Sequence, residues 1–413
     1  MDVTQGLQSL LAVFIVAALT PVLAAALPGP KIPQVVFFLI GGVIIGPHAL
    51  GVADTASVQL VADGGLGFLF LLAGYELDPA LLRQEPGRRA IAGWLISVAL
   101  SLGTVAALAA TGFVRDYVPV ALALTTTALG TLLPILHDSG MMSGNFGRYV
   151  FAAGAVGELF PIVAIAVFLT QGSHFAALLS VIAVGLLAVA LGSVPFIARS
   201  ERLRTIIREG QNATGQVMLR WSVVLLFLLL VIAARFGQDV VLGAMLAGIV
   251  LRGWTRRMGI DVRGLEDKFD AVGYGIFIPV FFVSSGMTLD IGGIAHNPAR
   301  VIVFFALLLV IRGLPSLLVY RKVLPLRQRA EMTFITATAL PLLVALAEIG
   351  LRDGKMLPAN AAALVGAGVL SVLVFPAVAI ALAGKGSGEG APEEAGPAPP
   401  APHPADSLLP WHR

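Results

Sequence analysis

The chain has 413 residues, of which 57% are hydrophobic and 12% charged, with a mean hydropathy of +0.91. Because soluble domains have about 25% charged residues, this composition predicts an integral membrane protein without a large soluble domain. The 27 basic and 24 acidic residues nearly balance, which argues against a nucleic-acid partner, and the absence of cysteine excludes disulfides and Cys-based metal sites. No HExxH, GxSxG or Walker motif occurs in the sequence, so we expect neither an enzyme nor a cofactor.

Hydropathy predicts thirteen membrane spans, since a helix needs about 20 apolar residues to cross a bilayer. They lie at 7–27, 34–51, 60–78, 90–111, 118–137, 149–170, 174–198, 217–234, 240–251, 270–288, 301–320, 330–349 and 360–383. Alternate loops hold 18 and 5 basic residues, and the richer set should be cytoplasmic. This predicts a plasma-membrane protein with its N-terminus outside and its C-terminus inside. Residues 384–413, rich in Pro, Gly and Ala, are expected to form a disordered cytoplasmic tail.

Short motifs recur in order along the chain. GYELD, ending at Asp78, is echoed by GMTLD, ending at Asp290, and TTTAL, starting at Thr125, is echoed by TATAL, starting at Thr336. The copies lie seven spans apart, and because seven is odd, the second copy must run through the membrane in the opposite direction. The pattern predicts inverted-topology repeats at about 34–170 and 240–383, joined by a linker at about 171–239, as in many secondary transporters.

The fifth and twelfth predicted spans combine threonines with residues that weaken a helix. Proline removes a backbone donor and clashes with the preceding turn, and broken helices inside a bundle expose backbone groups that can hold an ion. Threonine is also common in ordinary membrane helices, where it bonds to its own backbone. Its recurrence in the inverted copy favours two unwound helices that cross. The residues of this predicted crossing are Thr125, Thr126, Thr127, Ala128, Gly130, Thr336, Thr338 and Pro341.

Two charged residues lie near the middle of apolar spans, Glu158 in the sixth and Arg312 in the eleventh. A charge at mid-membrane costs about 2.5–3.5 kcal/mol on insertion scales, so it usually has a function or a partner. We expect Glu158 to bind either a proton or, transiently, Na⁺ or K⁺, with help from Thr126 and Thr127. Arg312 either pairs with Glu158 or neutralises the half-helix ends of the crossing, and a fixed structural ion pair is a further alternative.

Asp63 and Glu348 lie near the outer ends of the third and twelfth spans. Both are candidates for an ion vestibule, although long charged side chains at such positions often reach the membrane interface instead. Asp78 and Asp290 are expected to have structural roles at corresponding helix ends. His137, whose reference pKa of about 6.5 would suit a pH sensor, and Asp138 follow the fifth span as weaker candidates.

Four segments read, in order, KIPQVVFFLIGGVIIGPHALG (31–51), GLGFLFLLAGYELDPALLR (65–83), VLGAMLAGIVL (241–251) and PVFFVSSGMTLDI (279–291). They resemble the Kef-type branch of the monovalent cation:proton antiporters. The resemblance implies an all-α, NhaA-like fold with a dimerisation domain, a six-helix core, two unwound crossing helices and a homodimeric assembly. It also implies that Glu158 holds the position of the essential carboxylate and that Arg312 matches a basic residue of the eleventh span. The position before the carboxylate, often Asp or Asn in relatives, is Gly157 here.

The single acid also bears on stoichiometry. Electrogenic relatives carry two adjacent acids, so Glu158 after Gly157 favours electroneutral exchange of one cation for one proton by alternating access. Two alternatives stay open: a cation-coupled carrier of an organic solute on a similar fold, and a membrane receptor or scaffold without transport. Carboxylate and threonine oxygens do not by themselves select between Na⁺ and K⁺.

Overall fold

The computed structural model describes residues 3–26, 33–77, 79–129, 132, 136, 141, 144–168, 173–193, 216–258, 262–289 and 291–384. Over these ranges the secondary structure is helical and contains no strand. Ten helical stretches are long and apolar enough to cross a membrane. The predicted all-α membrane class is therefore confirmed. The predicted tail beyond residue 384 lies outside the described residues.

The helices are numbered here in chain order. They are α1 (Val3–Ala26), α2 (Gln34–Ile45), α3 (Thr55–Glu76), α4 (Pro79–Arg83), α5 (Glu85–Ala110), α6 (Tyr117–Ala123), α7 (Gly144–Phe168), α8 (His174–Gly192), α9 (Val217–Arg235), α10 (Val240–Met258), α11 (Val262–Val272), α12 (Ile278–Met287), α13 (Ile291–His296), α14 (Pro298–Leu307), α15 (Pro315–Val319), α16 (Leu326–Ala337), α17 (Leu340–Arg352) and α18 (Pro358–Gly384). Two π-helical turns, Gly273–Phe277 and Leu308–Gly313, connect α11 to α12 and α14 to α15.

The three predicted spans that fall outside the ten long stretches correspond to α2, α6 and α10. Two of these helices are short, with 12 residues in α2 and 7 in α6, so the count of thirteen spans stays a prediction. The predicted span at 34–51 is too long, because α2 ends where Gly46 precedes a proline and adopts an extended conformation. The predicted span at 240–251 is too short, since α10 continues as a helix through its basic end to Met258.

The helices form two bundles. The first bundle consists of α1, α2, α3 and the helices from α9 to α12, and the second of α5, α6, α7 and the helices from α14 to α18, while α8 packs against both. The bundles meet where α7 contacts α10 and where α12 contacts α17. Following the predicted orientation, we call the face with the start of α3 and the end of α17 the outer face; Arg83, Arg89 and Arg148 lie at the opposite ends of their helices.

Both predicted unwound segments are present. In the first, α6 ends at Ala123 and helical structure resumes at Leu129. In the second, α16 ends at Ala337 and α17 begins at Leu340, with Pro341 in its first turn. Proline is well accommodated there because the first turn of a helix has no intrahelical use for its N–H groups. Pro341 therefore starts the second half-helix. The inverted-repeat relationship of the two halves stays a prediction.

Glycines bring backbones of the first bundle into direct contact. A Cβ atom at Gly74 of α3 would lie 2.1 Å from the carbonyl oxygen of Met245 in α10, and one at Gly248 of α10 would lie 2.1 Å from that of Leu71 in α3. The pair α2 and α12 repeats this arrangement: Cβ atoms at Gly42 and Gly286 would lie 2.0 and 2.2 Å from the facing carbonyl oxygens. Small residues of this kind allow close helix packing in membranes.

The glycine contacts predict a large difference between two glycine-to-alanine substitutions. Gly248→Ala should lower the free energy of unfolding by about 1–3 kcal/mol, because the added methyl group meets backbone atoms that cannot move aside without separating the helices. Gly185→Ala is the matched control, since a Cβ atom at Gly185 of α8 meets nothing within 4 Å. Thermal unfolding in detergent measures both, and equal midpoints would contradict the prediction.

Candidate functional site

The two unwound segments contact each other in the interior of the second bundle. The backbone N–H of Ala128 donates to the carbonyl oxygen of Thr338 at 2.8 Å, and the hydroxyl of Thr127 donates to the carbonyl oxygen of Thr336 at 2.6 Å. The four residues are buried. Because unpaired backbone groups are costly in a membrane interior, these hydrogen bonds explain how both helices can be interrupted at the same place.

Most of the threonine hydroxyls at the crossing donate within their own helical turn. Thr125 donates to the carbonyl of Leu122 at 2.7 Å and Thr126 to that of Ala123 at 2.8 Å. Thr338 donates in the same way, to the carbonyl of Phe334 at 3.1 Å. This is the ordinary backbone-directed pattern of threonine in helices. Each such hydroxyl retains lone pairs that can accept a hydrogen bond or face a cation.

Glu158 lies in α7 beside the crossing, with a relative exposure of 7%. Its Oε1 accepts a hydrogen bond of 2.9 Å from the backbone N–H of Leu129, where helical structure resumes after the first unwound segment. The N-terminus of a helix carries unsatisfied N–H groups and a partial positive charge that stabilise a carboxylate. The first unwound segment therefore supplies a donor to Glu158.

A proline in α7 provides another connection to the crossing. Pro161 has no N–H, so the carbonyl of Gly157, four residues earlier, lacks its usual intrahelical donor. The backbone N–H of Thr127 donates to this carbonyl at 3.0 Å. The pair of Gly157 and Pro161 thus creates the acceptor that holds the unwound segment against α7. The sequence signal for this contact is the proline four residues after Gly157.

Arg312 lies in the second π-helical turn and is 3% exposed. Its Nε donates to the hydroxyl oxygen of Thr127 at 2.8 Å, and its Nη2 donates to the carbonyl oxygen of Ala153 in α7 at 2.9 Å. The guanidinium therefore links the unwound segment to α7. The three alternatives for Arg312, which are pairing with Glu158, neutralisation of the half-helix ends and a fixed structural ion pair, stay predictions.

Gly157 makes room for this arrangement. A Cβ atom at Gly157 would lie 2.6 Å from Arg312 Nη2 and 2.6 Å from both Cβ and Oγ1 of Thr127. No side chain fits there without displacing the guanidinium or the threonine, because such separations are far inside van der Waals contact. The Arg312 guanidinium thus occupies the space in which an Asp or Asn side chain would begin.

Three further polar residues, Glu76, Asp270 and Tyr274, lie where α3 ends and where α11 meets the first π-helical turn. The hydroxyl of Tyr274, in the first π-helical turn, lies within electrostatic range of the carboxylates of Glu158, Glu76 and Asp270. Tyr274 is 47% exposed. Only the position of Glu76 in the GYELD motif gave a sequence signal. Gly130, Asp78, Asp290, His137 and Asp138 lie outside the described residues.

Comparisons with known proteins identify the family of the chain. The sequence model of the family described as sodium/hydrogen exchanger, transmembrane, matches residues 12–383. The chain is 27% identical over 368 residues to the putative Na⁺/H⁺ antiporter YjbQ of Bacillus subtilis, covering 83% of this chain and 57% of that protein. It is 27% identical over 297 residues to the glutathione-regulated potassium-efflux system protein KefC of Escherichia coli, covering 68% and 45%. The chain thus spans about half the length of these two relatives.

The fold is similar to that of a solved antiporter structure. The sodium proton antiporter MjNhaP1 from Methanocaldococcus jannaschii at pH 8 superposes with a TM-score of 0.67 at 17% identity, covering 93% of this chain and 99% of that one. At this identity the likeness supports the fold alone. The family match extends over almost all of the helical region and supports membership of the family. The chain belongs to the sodium/hydrogen exchanger transmembrane family, and its similarity to KefC confirms the resemblance to the Kef-type branch.

Proposed function

We propose that this protein is a secondary transporter that exchanges one Na⁺ or K⁺ for one H⁺ across the plasma membrane, without net charge movement, at Glu158. The observation that carries the proposal is the combination of one buried carboxylate at the crossing with a guanidinium beside Gly157. YjbQ and KefC are named for Na⁺/H⁺ antiport and potassium efflux respectively, which supports the substrate class.

Competition at a single carboxylate is sufficient for antiport. A proton neutralises Glu158, and a monovalent cation neutralises it equally well, so the two ligands exclude each other. Burial raises the free energy of the bare carboxylate, while the Leu129 N–H lowers it. In the proposed cycle the site changes sides only when one ligand is bound, because moving a bare charge through the low-dielectric interior is too costly.

The charge balance of the site supports electroneutral exchange. The Arg312 guanidinium stays positive in every state, since arginine is not deprotonated in proteins. The loaded site therefore has the same net charge with H⁺ as with Na⁺ or K⁺ at Glu158. With one ligand moving each way, no net charge crosses the membrane. A second acid at position 157 would add a second titratable charge, but the space for it is occupied.

We assign different roles to the threonines. Thr126 retains lone pairs next to the unwound backbone and is the better candidate for a cation ligand. Thr127 donates to the Thr336 carbonyl and accepts from Arg312, so it serves the proposed site by fixing the crossing. Pro341 acts by starting α17. The basic loops face the cytoplasm, with the N-terminus outside and the C-terminus inside.

Removal of the titratable group tests the central proposal. Glu158→Gln keeps the size and the acceptor for the Leu129 N–H but cannot bind a proton and a cation in turn. We expect cation-driven proton flux in proteoliposomes to fall to the level of protein-free liposomes. Pulses of Na⁺ and of K⁺ given to the unmodified protein identify the cation. If the Gln variant, reconstituted at the same protein density, gives the same proton flux as the unsubstituted protein, the proposed role of Glu158 is refuted.

Addition of a methyl group at position 157 tests the position of the guanidinium. Gly157→Ala places Cβ 2.6 Å from Arg312 Nη2 and from Thr127 Oγ1, so the guanidinium or the threonine must move from its present position. We expect slower exchange and a loss of about 1–3 kcal/mol in stability. Gly185→Ala adds the same methyl group in open space and serves as the control. Exchange and melting equal to the control would contradict the prediction.

Electroneutrality is tested with no gradient of the transported ions. A membrane potential is imposed by a gradient of a permeant anion, with equal cation concentration and equal pH on both sides. We expect no protein-dependent proton flux, because one positive charge moves in each direction. A flux whose direction follows the sign of the imposed potential would show an electrogenic mechanism and contradict the single-acid interpretation.

A further inference from the structure

Five side chains form a connected polar cluster at the outer face, which we call the outer clasp: Gln59, Asp63, Ser285, Glu348 and Arg352. Arg352 Nη2 lies 2.8 Å from Asp63 Oδ1 and 3.2 Å from Glu348 Oε1. Gln59 Nε2 donates to Asp63 Oδ1 at 3.0 Å and to Glu348 Oε1 at 3.3 Å. Ser285 Oγ donates to Glu348 Oε2 at 3.1 Å. A guanidinium, two carboxylates and two neutral donors thus share one network.

The outer clasp joins the two bundles. Gln59 and Asp63 lie in α3 and Ser285 in α12, all in the first bundle, whereas Glu348 and Arg352 lie in α17 of the second. This is also where α12 and α17 pack together. The long stretch Gly264–Met287, which ends with α12, also contains Tyr274. Tyr274 is 47% exposed and within electrostatic range of Glu158. The clasp therefore lies at the end of the bundle interface opposite to Tyr274.

α17 connects the clasp directly to the crossing. This half-helix begins at Leu340, immediately after the unwound Thr338 and Ala339, and ends at Arg352. Glu348 is eight residues from the start of α17, so it lies about 12 Å along the helix from the crossing. An outward movement of the crossing relative to the first bundle would carry Glu348 and Arg352 away from their partners in α3 and α12.

The strength of the clasp suits a contact that breaks in every cycle. The side chains of Arg352 and Asp63 are 41% and 36% exposed, and that of Glu348 is 20% exposed. Partly hydrated ion pairs contribute little net stability, because water solvates both partners well when they separate. Opening therefore separates charged side chains that are already partly exposed.

We propose that the outer clasp holds the transporter closed to the outside. Breaking the contacts of the clasp is an obligatory step before Glu158 becomes accessible from the outer face. Asp63, Glu348 and Arg352 are positioning residues in this proposal. They set the proportion of inward-facing and outward-facing protein and do not bind the transported ion. The proposal rests on the exchange activity proposed above.

Reversible cross-linking across the clasp tests the obligatory step. Gln59→Cys with Glu348→Cys places one thiol on each bundle, and the chain has no cysteine of its own. A short bis-methanethiosulfonate reagent should stop exchange, and dithiothreitol should restore it in the same sample. The control pair is Asp116→Cys with Asn360→Cys, whose native side chains hydrogen-bond within the second bundle at the outer face. Cross-linking the control should leave exchange unchanged.

Continued exchange in the fully cross-linked clasp pair would overturn the proposal, as would equal inhibition of both pairs. If the protein without cysteine substitutions shows no exchange, this result instead contradicts the proposed function. In that case hydrogen–deuterium exchange tests the role of the outer clasp independently of transport. Asp63→Asn and Arg352→Gln should increase deuterium uptake at the outer ends of α12 and α17, and unchanged uptake would overturn it.

A sided kinetic measurement separates gating from general damage. Apparent affinity scales with the fraction of protein in the binding-competent state, so Arg352→Gln should lower the apparent KM for cation on the outer side by about twofold or more and raise it on the inner side. Arg300→Gln is the matched control, because Arg300 contacts Asn360 and the Phe113 ring within the second bundle. It should leave both KM values unchanged. Shifts of Arg352→Gln in the same direction on both sides, or none, would overturn the proposal.

Discussion

The structure depends on satisfying the backbone of two helices that stop halfway through a membrane. Each interruption leaves N–H and C=O groups without intrahelical partners, and hydrocarbon offers none. The crossing solves this by pairing the two interruptions, through Ala128 and Thr338, and by using the Gly157 carbonyl that Pro161 leaves free. The two unwound segments and α7 must therefore be correctly aligned before the Leu129 N–H can donate to Glu158.

The same requirement explains the position of the positive charge. Arg312 is held by a hydroxyl of the crossing and by a carbonyl of α7, so its charge is fixed relative to Glu158 whatever that residue binds. The guanidinium can lie there only because Gly157 has no side chain. In the proposed cycle, stoichiometry is therefore determined sterically, through the space at a glycine.

Some of this organisation could be predicted from sequence. Glu158, Arg312 and the two interruptions have local signals, since a lone charge in an apolar run and a cluster of threonine and proline are visible in short windows. The outer clasp could not be predicted in this way, because Asp63 and Arg352 are 289 positions apart and only packing unites them. The π-helical turn at Arg312 was also missed, as no composition marks such turns. The sequence marks Asp63 and Glu348 as candidates but does not mark Arg352, their common partner.

The close glycine contacts of the first bundle restrict how the protein can move. In α3 and α10, and again in α2 and α12, each helix touches the backbone of the other at a glycine. Residues on one face of a helix recur every three or four positions, about 5–6 Å along the axis, so a slide of that size would bring a side chain into a gap that has room only for hydrogen. These pairs thus resist axial sliding, and the first bundle can serve as a stationary frame. In the proposed cycle, the second bundle with Glu158 then moves along α10 and α12, the helices of the first bundle that it contacts.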